Sequence, residues 1–282
     1  MKAIKLASVF AVSAVAAAVS TTTMAAEAVF SGTAGIEYTT TDKADTVDGT
    51  DLSEIELAVD TGVVYAELEI AGTQDDENVD IGLEKIYVKQ GAVSFGRFDG
   101  SVSTGAFMGA LDEQFGGVDL TTTGDTDDAG VRYKVTPEFT VAVEATDSTD
   151  TEDSDIGVAA SYVTSFDSFK VGISGGSVGD ANSVNVGVAT TAGPLTLSLD
   201  YGVGASGAEG ETDIERLTTT ATFAATEALS FAIEVVSDLE AEQSGSYFIA
   251  QYAVGDLTYY VNGYRGALND VDSTNVGVEA SF

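Results

Sequence analysis

The residues of this chain that could do chemistry are almost all carboxylates. The 282-residue sequence holds 46 Asp and Glu against 11 Lys and Arg, with no His and no Cys, for a formal net charge of -35. Without His or Cys there is no Ser-His-Asp or Cys-His nucleophile pair, no thiolate chemistry and no zinc site built from those ligands. So negative a chain is also excluded from binding nucleic acid by phosphate neutralisation. We therefore expect no enzymatic activity and no nucleic-acid partner.

Two acidic segments raise the question of a bound cation. Oxygen ligands of the kind that suit Ca²⁺ or Mg²⁺ crowd residues 125–128 and 147–155. Counting from Asp125, however, puts Thr136 at the twelfth position, where an EF-hand needs a carboxylate. Specific metal binding and a solvated acidic surface both stay open. The spacing favours the second, so we expect no metal and no cofactor.

The elements that carry most of these acids are strands. Apolar and polar residues alternate over segments of about 8–10 residues, as in Leu197-Ser198-Leu199-Asp200. About sixteen such segments follow one another. No stretch after residue 26 approaches the run of about 18 apolar residues that a spanning helix needs. The links are alternately tiny, as at Thr61-Gly62, and longer and acidic, as at residues 42–50.

The faces of these strands decide between two architectures. A soluble sandwich buries its apolar faces in a core, whereas an outer-membrane barrel turns them to lipid and lines its lumen with polar residues. The even strand number, the short-turn and long-loop asymmetry and the aromatic residues near strand ends favour the barrel. We therefore predict an all-β fold, a transmembrane antiparallel β-barrel of about 16 strands and wide enough for an aqueous channel. A secreted β-sandwich or adhesin is the alternative.

The first residues are typical of a secretory signal peptide. Lys2 and Lys5 form a positive region, residues 7–19 are apolar and small, and a small-residue cleavage site follows. We expect cleavage after Ala25 or Ala26. Residues 1–25 would then be removed, and residues 26–282 would form the barrel domain.

One connection is out of scale with the others. After Phe98, about thirty residues carry no clear strand, and a loop of that length inside a compact domain is usually functional. It contains an apolar piece at 106–111 and the acids Asp112, Glu113 and Asp119. Because a wide barrel needs something to narrow its lumen, we predict that this third loop folds inward.

Taken together, these features resemble the Gram-negative general porins, a family of trimeric sixteen-stranded barrels. The resemblance rests on the signal peptide, Gly96-Arg97-Phe98-Asp99-Gly100, Glu113-Gln114-Phe115-Gly116-Gly117 in the third loop, and an alternating last strand that ends at Phe282. It implies a passive diffusion channel (a porin) for ions and small hydrophilic solutes in the outer membrane of a Gram-negative bacterium. A structural or adhesive outer-membrane barrel without channel activity is the alternative.

The resemblance also implies roles for particular residues. At the constriction we expect the third-loop residues Asp112, Glu113, Phe115 and Asp119. Facing them from the wall we expect Lys85, Lys89, Arg132 and Lys134. From the alternation of the strands themselves, we expect the pore-wall acids to be Glu54, Glu56, Glu67, Glu69 and Glu279. Rings of carboxylates attract cations, so we expect a cation-preferring pore; the basic residues could equally be salt-bridge partners of neighbouring acids.

Arg97 and the chain end complete the predictions. Arg97 shares its parity with Phe95 and should point outward, where contact with lipid is costly. The family precedent is a protomer contact, with Asp75, Asp76 and Glu77 in the second loop as the candidate partners. The same precedent makes Phe282 the signal for the barrel assembly machinery. The expected partners are further copies in a homotrimer, outer-membrane lipid and lipopolysaccharide, small solutes and cations.

Overall fold

The computed structural model describes residues 27–48, 54–72, 79–109, 111, 117–124, 126, 129–146, 154–206, 213–268 and 271–281. Most of these residues lie in strands. In chain order the strands are β1 (Glu27–Thr41), β2 (Asp45–Asp48), β3 (Glu54–Asp60), β4 (Val64–Gly72), β5 (Val79–Gln90), β6 (Val93–Arg97), β7 (Ala129–Lys134), β8 (Phe139–Ala145), β9 (Ile156–Phe166), β10 (Phe169–Val178), β11 (Ala181–Ala192), β12 (Leu195–Ala205), β13 (Asp213–Ala224), β14 (Leu229–Asp238), β15 (Gln243–Val254), β16 (Leu257–Gly266) and β17 (Ser273–Ser281). Between β6 and β7 lie a 3₁₀ turn (Ala106–Met108) and a short helix, α1 (Leu120–Gly124).

The strands form one sheet that closes on itself. From β3 onward each strand pairs antiparallel with the next, and β17 pairs back onto β1. The other edge of β1 pairs with β3 along its first half and with β2 along its second half. β2 and β3 therefore share one strand position, and the molecule is a closed antiparallel barrel of 16 strands. The predicted fold class is confirmed. The sequence had indicated one strand over 51–60. The structure has β3 there and, ahead of it, the short β2, which pairs with the second half of β1.

The two ends of the barrel differ in their connections. At one end the β3–β4 and β5–β6 turns contain Gly62 and Gly91, whose φ angles of 76° and 63° lie in the left-handed region that glycine adopts without a Cβ clash. At the other end the connections are mostly longer in sequence. Short connections at that end include the tight turn at residues 179–180 between β10 and β11 and the four residues 239–242 between β14 and β15.

The two faces of each strand differ in the inverse sense to a soluble protein. On β11, Val184, Val186 and Val188 are exposed, whereas the intervening Ser183 and Asn185 are buried. Large apolar side chains are exposed on the outside all around the barrel, from Phe30 on β1 to Val276 on β17. An apolar outer surface and a polar interior are what a lipid-facing barrel requires. Among the described residues, no helix is long and apolar enough to cross a membrane.

Candidate functional site

The described residues of the third loop (98–109, 111, 117–124 and 126) lie inside the barrel. They contact inward side chains of the strands from β8 to β16. Leu120 is fully buried in a cluster with Ala142, Ala159, Val178 and Ala181. Leu111 packs into a second cluster with inward residues of three strands, Val236, Tyr247, Ile249 and Tyr264. Burying a leucine side chain contributes about 1.5–3 kcal/mol, so both clusters hold the loop against the wall.

Glycines on the inner wall make room for this contact. A Cβ at Gly172 would meet the Phe107 ring, and a Cβ at Gly187 would meet Met108. The same is true of other inward glycines of β10 and β12: a Cβ at Gly176 would lie 2.7 Å from Leu120 Cδ2, and one at Gly204 would lie 2.7 Å from Val118 Cγ1. These four glycines, 172, 176, 187 and 204, are called the loop seat below. A glycine inside a strand often marks such a close approach.

Wall side chains also hold the loop by hydrogen bonds. The Glu144 carboxylate accepts hydrogen bonds from the Ser101 hydroxyl (2.5 Å) and the Val102 N–H (2.9 Å). Glu234 accepts the Leu111 N–H at 2.6 Å. Asn185 bonds both polar groups of the Val118 backbone, accepting its N–H at 2.7 Å and donating to its carbonyl at 2.7 Å. Hydrogen bonds to an ionised acceptor are stronger than neutral ones, so these acids act as clamps on the loop backbone.

The wall acids therefore fall into two groups. Those on the loop-covered side are almost wholly buried: Glu144 at 2% exposure, Asp200 at 1% and Glu234 at 0%. On four neighbouring strands of the other side, β17, β1, β3 and β4, inward carboxylates stay partly exposed to the lumen, whereas Glu67 on β4 is 7% exposed and pairs with Lys85. This second group is called the acidic wall and comprises Glu37, Glu56, Glu69 and Glu279.

Hydrogen bonds orient the acidic wall. The Tyr260 hydroxyl donates to Glu37 at 2.8 Å, and Thr39 donates to the same carboxylate at 3.1 Å. Ser31 on β1 donates to Glu56 on the neighbouring strand, β3, at 3.3 Å. These bonds hold Glu37 and Glu56 in place while leaving both carboxylates partly exposed.

The predicted basic residues lie beside the acidic wall, and three of them contact acids. Lys89 pairs with Asp60 at 2.6 Å, and Lys85 with Glu67 at 2.6 Å and with Asp99 at 3.5 Å.

Arg132 donates to the Gly100 carbonyl and lies 3.9 Å from Glu144. Lys134, on the same inward register of β7 as Arg132, is exposed. Lys85, Lys89 and Arg132 thus each lie within 4 Å of a carboxylate, whereas Lys134 is exposed.

A stack of side chains connects these charges. The rings of Tyr65 and Tyr87 stack with centroids 5.1 Å apart, and those of Tyr87 and Phe98 with centroids 4.9 Å apart. The Arg132 guanidinium covers the far face of Phe98 at 4.1 Å. The stack fixes the start of the third loop to the wall, because Phe98 is the residue at which β6 gives way to the loop.

The remaining predicted residues lie in three kinds of place. Asp112, Glu113, Phe115, Asp75, Asp76, Glu77, Phe282 and the segment 1–25 lie outside the described residues, and of Glu54 only the backbone is described. Asp119 precedes α1, and its carboxylate accepts the Thr121 N–H at 3.0 Å, as an N-cap does. Arg97 is exposed on the outward register of β6, alongside Phe95.

Comparisons with known proteins bear on the fold. Neither the protein-family models nor the curated proteins give a match. Among solved structures, a loop-deletion mutant of OmpT, an outer membrane protein of Vibrio cholerae, matches with a TM-score of 0.67 and 16% identity over 92% of this chain and 100% of that chain. A trimer form of OmpT matches with a TM-score of 0.64 and 15% identity over the same shares.

A third structure comes from another organism. A triple mutant of Rhodopseudomonas blastica porin matches with a TM-score of 0.63 and 15% identity over 91% of this chain and 100% of that chain. At these identities the likeness shows the fold: this chain has the closed β-barrel architecture of outer-membrane proteins of Gram-negative bacteria.

Proposed function

We propose that this barrel is a passive diffusion channel for ions and small hydrophilic solutes across the outer membrane. The observation that carries the proposal is the position of the third loop, which lies inside a closed barrel and packs on the β8–β16 side. Such a loop narrows a 16-strand lumen without filling it, because the acidic wall on the other side keeps its partial exposure. The printed name of one structural neighbour, a porin, supports the same function.

The channel prefers cations in this proposal. The acids that a permeating ion would meet are those of the acidic wall, since Glu144, Asp200 and Glu234 are buried beneath the loop. The nearby cations Lys85 and Lys89 already pair with carboxylates. Carboxylates that line a confined pore attract cations and repel anions.

Transport needs no chemical step, and we propose that the chain is not an enzyme. An outer-membrane barrel protease or lipase of the usual kind would need a His beside its nucleophile, and the sequence holds none. A structural or adhesive barrel is the other rival. Conductance measurements separate a channel from both.

The targeting of the protein and its assembly follow from the same channel proposal. We propose export by the signal peptide 1–25, recognition of Phe282 by the barrel assembly machinery, and contact with outer-membrane lipid and lipopolysaccharide. A homotrimer is supported by the trimer form of one OmpT structure. Arg97, exposed on the outer surface, is the proposed protomer contact, with Glu77 as its partner.

The experiment is single-channel recording of purified protein in a planar lipid bilayer. The proposal predicts ohmic steps in groups of three and a reversal potential of cationic sign in a KCl gradient. Absence of conductance from heat-modifiable, folded protein would reject the channel, and hydrolysis of peptide or ester substrates would reject the non-enzymatic reading. An anionic reversal potential would reject the cation preference alone.

A further inference from the structure

A cavity of about 290 Å³ opens beside the stacked rings at the start of the third loop. Its lining comprises Lys85, Tyr87, Ser94, Phe98, Asp99 and Arg132. Concave sites of about this size that combine aromatic surface with a few placed polar groups are typical of small-molecule binding. The lining carries two cations and one carboxylate. The neighbouring acidic wall carries carboxylates, so the cavity offers a solute a different set of charges.

The contact between two opposite charges of the cavity, Lys85 and Asp99, is long and partly exposed. Lys85 bonds Glu67 closely, at 2.6 Å, but its contact with Asp99 is 3.5 Å long. The side chain of Asp99 is 53% exposed and that of Lys85 is 28% exposed. A solute could therefore separate Lys85 from Asp99 without breaking the short Lys85–Glu67 bond, and the loss would be small because exposed ion pairs contribute about 0–1 kcal/mol.

The apolar surface of the cavity consists of the edges of the Tyr87 and Phe98 rings. Both faces of Tyr87 are covered by its neighbours in the stack, and the two faces of Phe98 are covered by Tyr87 and Arg132. A ligand ring cannot stack on a covered face. Ring edges instead favour an edge-to-face contact with the face of another aromatic ring.

We propose that this cavity binds zwitterionic solutes, namely free amino acids with an aromatic or apolar side chain. The solute's carboxylate takes the place of Asp99 beside Lys85, near Arg132, and its ammonium group pairs with Asp99. Its side chain lies against the edges of Tyr87 and Phe98. The proposal deepens the channel function, on which it rests for its physiological sense.

Charge balance favours a zwitterion over a simple ion. A neutral zwitterion adds no net charge to a chain with a formal charge of -35, whereas an anion is repelled by the acidic wall. A simple cation could pair with Asp99 but would be repelled by Lys85 and Arg132 in the same cavity. Only a solute with both charges satisfies both sides of the opened Lys85–Asp99 pair.

The test compares three small probes: L-phenylalanine, phenethylamine, which lacks the carboxylate, and 3-phenylpropionate, which lacks the amine. Binding is measured by ligand-observed NMR on the folded barrel in detergent, and independently as concentration-dependent block of single-channel current. L-phenylalanine should bind more tightly than both other probes. Lys85→Gln and Asp99→Asn should each weaken its binding by about two- to fivefold, the value of one partly exposed ion contact.

Lys43→Gln is the matched control, because it removes the same charge at the exposed β1–β2 hairpin and should leave L-phenylalanine binding unchanged. Equal binding of the three probes, or equal effects of Lys85→Gln and Lys43→Gln, would overturn the cavity site. Selective binding by NMR without any conductance would uphold the site and reject the channel. Conductance without selective binding would do the reverse.

Discussion

At the residue scale, two kinds of inward carboxylate do different work. Glu144 and Glu234 accept hydrogen bonds from the third loop and are buried. Glu37 and Glu279 face the lumen from adjacent strands and stay partly exposed. Their residue type is the same, and their roles differ because the loop covers only one pair.

Neutralising the exposed pair should weaken cation preference. At about 8 Å in water, one carboxylate attracts a monovalent cation and repels a monovalent anion by about 0.5 kcal/mol each, so each of Glu37→Gln and Glu279→Gln should lower the cation-to-anion permeability ratio by up to about fivefold. The measurement is the reversal potential in a KCl gradient. Glu215→Gln, on the outward register of β13, is the control. An equal shift in that variant would mean that overall charge, and not the acidic wall, sets the preference.

Removing a clamp should loosen the loop. Glu234→Leu leaves the buried Leu111 N–H and the Thr220 hydroxyl without their acceptor, which should cost about 1–3 kcal/mol of unfolding free energy. Urea unfolding in detergent would measure the loss, and open-channel current noise should rise. Glu234→Gln keeps an acceptor and should recover part of the stability. Equal stability of the Leu variant and the native protein would show that the clamp is not needed.

At the scale of elements, the wall under the loop determines how far the loop stands into the lumen. The loop seat exists because β10, β11 and β12 carry glycine on their inward register where Phe107, Met108, Val118 and Leu120 approach. The size limit of the pore should thus depend on wall residues as well as on the loop itself.

Filling the seat should narrow the pore. In Gly187→Val the new side chain would collide with Met108 and Asp200 and push the loop toward the acidic wall, so single-channel conductance should fall. Gly82→Val is the matched control, since a Cβ at that inward glycine of β5 meets nothing within 4 Å. Conductance that falls equally in both variants would show that added wall volume, not loop displacement, narrows the passage.

The sequence predicts the strands better than it predicts the site. Alternation with period two marks nearly every strand, because the two faces of a barrel strand meet different surroundings. The alternation fails near the β10–β11 hairpin, where Gly175 and Gly176 interrupt the apolar and polar pattern of β10. Glu144, Glu234 and Glu37 all stand on the inward register of their strands, so no local sequence feature separates a loop clamp from an acid that faces the lumen. The inward glycines of the loop seat were the available clue to where the loop docks.

At the scale of the whole molecule, the barrel reconciles an apolar composition with a large negative charge. Hydrophobic residues make up 44% of the chain, and the exposed large apolar side chains of the described strands face outward, while most acids of these strands face the lumen. The outer surface is thereby fitted to lipid, and the inner surface to water and ions.

A charge on the lipid face should be costly. Val186, exposed near the middle of β11, would lie near the bilayer midplane, and Val186→Arg should destabilise the folded barrel by about 2–4 kcal/mol. Thr33→Arg, on the lumen register of β1, should cost much less. Unfolding titrations in lipid vesicles measure both. A larger loss in Thr33→Arg would contradict the assignment of the two faces.

The most direct test of the central claim, that ions pass along the acidic wall beside a loop seated on the other side, uses the absence of native cysteine. A cationic thiol reagent is applied during single-channel recording to Glu279→Cys, on the acidic wall, and to Ser198→Cys, which is 7% exposed on the covered side. We expect rapid stepwise loss of current in Glu279→Cys and no change in Ser198→Cys. Equal modification of both positions, or no current from the folded protein, would contradict it.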